Sequence, residues 1–125
     1  MKESNEEVLK ESARLLKELA ELRGGQLLSQ HKRIANDPGL LQAFMDQYKV
    51  NNSNSNKIPA KYRELMTMGM GAVRGMGTTV RVHGQRAVEE GATAEEIGEV
   101  FRAVFMLTGV SGLFYIGEIF DEADC

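Results

Sequence analysis

The stretch GMGAVRGMGTTVRVHG, residues 69–84, gathers Gly69, Gly71, Gly75 and Gly77 with Arg74, Arg81, Thr78, Thr79 and His83. Three chemistries suit such a composition: a loop that cradles phosphate, a close helix contact, or a site that moves protons through His83. A dinucleotide-binding loop requires a strand before its glycines and a helix opening at them. The preceding residues, KYRELMTM, read instead as helix. A nucleotide-phosphate loop ends in Gly-Lys-Ser or Gly-Lys-Thr, and no such tripeptide is present. Gly71 and Gly75, four apart, are expected to let two helix backbones approach, with methionines filling the irregular space around them. His83 alone fits either a hydrogen-bonded structural histidine or a proton-transfer group. Thr78 and Thr79 read as packing or backbone-bonding hydroxyls. His31, in SQHKR, reads as a solvated surface residue. The spacing of His31 and His83 suggests no metal site.

The composition narrows the partners. The formal charge is −3 over 125 residues, and an acidic chain is a poor general binder of nucleic acid. The charge is unevenly placed. Residues 57–86 carry Lys57, Lys61, Arg63, Arg74, Arg81 and Arg86 against Glu64 alone, whereas beyond them Arg102 is the only base. A basic middle suits a small anionic ligand, or pairing with the acidic segment that follows it. The single cysteine, Cys125, excludes an internal disulfide. No uninterrupted apolar run approaches the roughly 20 residues that cross a bilayer, and MKESNEEVLKES lacks the apolar core of a signal peptide. These features predict a cytoplasmic protein with no membrane and no nucleic-acid partner.

The elements that would position these groups are helices. Ser4 with Glu7 reads as a capping box opening a helix through Val8, Leu15, Leu19 and Leu22, which Gly24-Gly25 stops. A short helical piece is expected over Gln26 to Ile34. Asp37 then caps a helix with Pro38 in its first position. NNSNSN, residues 51–56, reads as a loop rich in side-chain-to-backbone bonding. Pro59 opens the next helix, another runs from about Met76 to Glu90, and Thr93 with Glu96 forms a second capping box. Ile97, Val100, Phe101, Val104 and Phe105 give that helix an apolar face. Gly109 and Gly112 break the chain before a last helix with Phe114, Ile116 and Phe120. No segment alternates with a period of two. The predicted fold is all-α, one small domain of about six helices: N-terminal helices over 1–50, a loop over 51–58, and a core over 59–125.

Pro59 to Glu118 resembles the carboxymuconolactone decarboxylase and alkylhydroperoxidase D-like superfamily. KYREL at 61–65, VHGQRAVEEGATAEEIGEVF at 82–101 and LTGVSGL at 107–113 carry the resemblance. The redox branch of that superfamily carries Glu-x11-Cys-x2-Cys-x3-His. At the same spacing this chain has Glu64, Met76, Thr79 and His83. The frame is kept and both cysteines are replaced. A thioether and a hydroxyl supply neither the thiolate attacker nor the resolving partner that thiol–disulfide exchange needs. Thiol peroxidase activity is therefore not expected, and Cys125 lies in an acidic tail unsuited to a reactive thiolate.

The resemblance to the decarboxylase branch implies decarboxylation of a small carboxylated, lactone-type substrate without a cofactor. It implies His83 as the proton-transfer group, with Glu64 orienting it or shuttling a proton. Arg81 or Arg74 would hold substrate carboxylate, and Thr79 would line the same site. Glu118 stands where members of that branch often carry a second histidine. The resemblance also implies a homo-oligomer, a trimer or hexamer. The alternative is a member that binds a small acid, or acts as an oligomeric scaffold, without catalysis.

Overall fold

The computed structural model describes residues 1–125 as helices and connecting turns, without strands. Its contacts divide into two compact units, Met1–Asn56 and Lys57–Cys125.

In the first unit, α1 (Glu6–Leu22) is followed by the short α2 (Ser29–Ile34) and by α3 (Pro38–Asn51). The cap of α1 is Asn5 rather than Ser4: its side-chain oxygen accepts from the Glu7 and Val8 amides. Both residue types cap well, so the displacement is a single step in register. Asp37 caps α3 through the Leu40 amide, with Pro38 in the first turn, as the sequence predicts. Leu15 and Leu19 of α1 meet Ala35, Leu41 and Met45 in a small buried core.

His31 corrects the sequence reading. Its side chain is not solvated but buried, with 4% of the residue exposed. Its Nδ1 accepts the Leu28 amide at 3.0 Å, and its ring is tilted against Phe44. The ring thus performs the task of the third residue in a capping box, satisfying an N–H that α2 leaves without a helical partner.

The second unit holds α4 (Ala60–Val73), α5 (Gly77–Glu89), α6 (Ala94–Thr108) and a 3₁₀ segment, Gly109–Glu118. Leu65, Met68 and Ala72 of α4, Val80 and Ala87 of α5, and Ile97, Phe101 and Val104 of α6 form its core. Thr93 and Glu96 make the predicted capping box: the Thr93 hydroxyl accepts the Glu96 amide, and the Glu96 carboxylate accepts the Thr93 amide. The last helix is a 3₁₀ segment rather than an α-helix. Gly109 separates it from α6 with φ +63° and ψ −153°, a region open to glycine and costly for other residues.

By length and composition alone, the helical run Ala94–Glu118 is apolar enough to cross a membrane. Charged and polar residues interrupt it, so it contains no unbroken apolar stretch of that length. Its apolar residues serve two directions. Ile97, Phe101 and Val104 pack into the core, while Phe105, Met106, Leu107, Val110 and Phe114 are exposed.

Candidate acid–base site

The glycine-rich stretch is the turn and facing sides of an antiparallel helix pair, α4 and α5. Gly71 is the point of closest approach. A Cβ placed there would lie 2.8 Å from Thr79 Cγ2 and 3.3 Å from the Val80 backbone nitrogen. Gly75 has a different task from the one its spacing suggests. It turns the chain between the helices at φ +68°, and the Met76 amide then bonds the Gly71 carbonyl at 2.8 Å. This stretch is a close helix contact with a tight turn, and that geometry sets the register of the side chains above it.

The register brings Glu64 of α4 to His83 of α5. His83 Nδ1 and Glu64 Oε2 are 2.5 Å apart. The side chains are 26% and 13% exposed, respectively. The carboxylate is thus shielded from water while one edge of the imidazole stays open. With Glu64 ionised, the short contact requires the proton on Nδ1, because a carboxylate only accepts. The Nε2 lone pair then points away from Glu64 and has no hydrogen-bond partner in the chain. Such an imidazole can take a proton at Nε2, and the adjacent carboxylate stabilises the cation that results.

The other candidate residues are placed as follows. Thr79 lies one helical turn before His83 on the same side of α5, its methyl group against Gly71. Arg81 is not beside His83. Two residues away on a helix, it faces nearly opposite and approaches Glu118 of the 3₁₀ segment at 3.6 Å. Arg74 follows the end of α4 and borders a groove between α4 and α6. Arg86, three residues beyond His83, shares the His83 side of α5 by helical spacing. It is half-buried and forms no ion pair. The signal that marks it is that i, i+3 relation, which proximity in sequence alone obscures in favour of Arg81. Met76 is exposed at the start of α5. Glu118 stands beside Arg81, not within the His83–Glu64 pair. No group of three or more His, Cys, Asp or Glu side chains is arranged to hold a metal ion.

A concavity of about 880 Å³ forms the α4–α6 groove. Tyr62, Leu65, Met66, Gly69, Met70 and Val73 line it from α4, whereas Glu64, Met68 and Gly71 face α5. The concavity and the acid–base pair thus occupy opposite sides of one helix.

A family model described as the carboxymuconolactone decarboxylase family matches residues 38–119. The chain belongs to this family. No curated protein and no solved structure matches it. The match begins in α3 and reaches Ile119, so it takes in both members of the Glu64–His83 pair and the whole of the second unit's helical core. Met76 and Thr79 carry no thiol, and the single cysteine, Cys125, is exposed.

Proposed function

We propose that this member of the carboxymuconolactone decarboxylase family carries out cofactor-free acid–base chemistry on a small carboxylated substrate, with His83 as the proton carrier and Glu64 as its orienting base. The observation that carries the reading is the 2.5 Å contact between Glu64 and His83 Nδ1, which leaves Nε2 directed outward. In decarboxylation the bond between carbon and the departing CO₂ breaks, and its electron pair moves into the conjugated carbonyl as an enolate. A protonated His83 then delivers its Nε2 proton to the carbon, and solvent restores it. The pair favours such a step because Glu64 fixes the tautomer and balances the imidazolium charge. Arg86 is the cation best placed by helical spacing to hold substrate carboxylate with two parallel N–H donors. Thiol peroxidase activity has no chemical basis here, since Met76 and Thr79 offer no thiolate pair.

The test is turnover of carboxylated lactones, muconates and related oxo-acids, followed by loss of carboxylate and release of CO₂. Turnover lowered about 10²- to 10⁴-fold in His83→Ala, and by less in Glu64→Gln, supports the assignment, and undiminished turnover in His83→Ala removes it. A second reading, binding of a small acid without turnover, is favoured by the engagement of Arg81 with Glu118 rather than with His83. Saturable binding with no product would establish that reading in place of the first.

A further inference from the structure

The α4–α6 groove lies across α4 from the Glu64–His83 pair and belongs to no step of its chemistry. Tyr62, Met66, Met70 and Val73 recur at four, four and three residues along α4, and each is between 44% and 57% exposed. That spacing makes a continuous apolar stripe on one side of a helix, about 18 Å long from Tyr62 to Arg74. Gly69 lies beneath it. A Cβ there would sit 2.9 Å from Val100 Cγ1, so the two helices close under the groove and leave a channel above. Its volume of about 880 Å³ lies within the range of small-molecule sites, which are apolar with a few placed polar groups. Unbranched methionine side chains adapt readily to a flexible apolar chain laid against them.

The charged groups stand at the two ends. Lys61 at the start of α4 bonds Glu96 at the start of α6 at 2.8 Å, and further along Gly69 faces Val100 and Val104. The two helices therefore run in the same sense. Glu96 and Glu99 border the end at which both helices start, and Arg74 borders the end at which they finish. Both carboxylates are engaged, Glu96 by Lys61 and Glu99 by Arg102 at 3.4 Å. Arg74 is the only cation lining the groove, and it forms no ion pair. A free cation at one end of an apolar channel is complementary to a molecule with one anionic head and an apolar chain.

We propose that the α4–α6 groove is a second ligand site, which takes a free fatty acid. Its carboxylate sits on Arg74, and its chain runs along Val73, Met70 and Met66 towards Tyr62. The planar guanidinium can hold both carboxylate oxygens through parallel N–H donors. The acidic end sets the specificity. A second carboxylate at the far end of the chain would meet Glu99 and Glu96, and such like-charge contact rejects dicarboxylates of the same length. This site is separate from the one proposed around His83, and its test reads binding rather than turnover.

The experiment is titration calorimetry of the full chain with octanoate, decanoate and laurate below their micelle-forming concentrations. Decanol and decanedioate are the comparison ligands, and circular dichroism confirms the fold of each variant. The acids are expected to saturate at one per subunit and to tighten about twofold to fourfold with each added methylene. Decanedioate is expected to bind more weakly than decanoate. Arg74→Gln is expected to weaken decanoate about tenfold and to leave decanol unchanged, since decanol has no charge to lose. Met70→Glu is expected to lose both, because it places a carboxylate in the middle of the channel. Met70 and Arg74 are exposed, so folding should be unaffected. The absence of saturable binding overturns the proposal, as does an affinity that does not rise with chain length. So does decanoate binding that Arg74→Gln leaves intact. A wild-type chain that binds none of the acids and loses subunit mass in Met70→Glu, read by light scattering, overturns it too and gives the groove to a second copy.

Discussion

Glu64 and His83 lie 19 residues apart in sequence and meet at 2.5 Å because Gly71 lets α5 pack directly against α4. The contact fixes which ring nitrogen carries the proton. Nitrogen-15 NMR of His83 at neutral pH is expected to report the Nδ1–H form of the neutral ring. Glu64→Gln should allow the other tautomer to appear, because an amide both donates and accepts. In turnover, loss of a positioned proton-transfer group costs about 10²- to 10⁴-fold. His83→Ala is expected to fall in that range and Glu64→Gln to lose less. Equal and negligible losses in both would show that the pair is structural.

Gly71 and Gly98 are both helical glycines, and they should respond to alanine in opposite ways. Alanine in a helix interior is favoured over glycine by up to about 1 kcal/mol. At Gly98 nothing lies within 4 Å of the position a Cβ would take, so that gain is unopposed. Gly98→Ala should raise the unfolding midpoint. At Gly71 the new carbon would sit 2.8 Å from Thr79 Cγ2 and 3.3 Å from backbone that cannot rotate away. Overpacking of that kind costs about 1–3 kcal/mol, which exceeds the helical gain. Gly71→Ala should lower the midpoint and lengthen the Glu64–His83 contact, read as partial loss of turnover. A stabilising Gly71→Ala would refute the close packing of α4 on α5.

His31 ties the start of α2 to the small core of the first unit. His31→Phe keeps a ring against Phe44 but removes the acceptor for the Leu28 amide. An amide left without its partner costs about 1–3 kcal/mol. The variant should unfold at lower denaturant, and exchange of the Leu28 amide hydrogen should accelerate. Unchanged exchange at that amide would mean that the histidine fills space only.

Helix ends signalled by side chains that bond their own backbone are legible in the sequence: Asp37 with Pro38, and Thr93 with Glu96, act locally and leave a local pattern. The all-α fold follows from the same short-range periodicity. His31 misleads because a histidine between polar neighbours looks solvated; its burial depends on Phe44, which arrives from α3. The 3₁₀ character of Gly109–Glu118 is hidden because apolar spacing does not separate 3₁₀ from α geometry over so short a run. The union of Glu64 with His83 is legible through resemblance alone, since periodicity does not report how two helices are set against each other. Sequence proximity puts Arg81 near His83, but a two-residue step on a helix turns a side chain towards the opposite side.

Glu96 makes the acid dependence of the second unit predictable in sign. The hydrogen bond from Lys61, foremost, and that from the Thr93 amide hold its carboxyl below the usual carboxylate range. A carboxyl with a lowered pKa in the folded state stays ionised after its unfolded counterpart has taken a proton. The stability it contributes is therefore fully present above the unfolded value, about 4.3, and is lost as pH falls through the folded value. Glu96→Gln removes that contribution while keeping a side chain of similar size that can still accept the Thr93 amide. The wild-type chain is expected to unfold at higher temperature than Glu96→Gln at neutral pH, with the two converging in acid. Salt should narrow the neutral-pH gap as well, since the Lys61–Glu96 pair is partly exposed and exposed charges are screened. Thr93→Ala, by contrast, loses a cap that does not titrate, typically worth about 1 kcal/mol, so its deficit should persist at every pH. A gap in Glu96→Gln that persisted unchanged into acid would show that the deficit does not come from the ionised carboxylate, and would remove the ion pair to Lys61 from the stability of the fold.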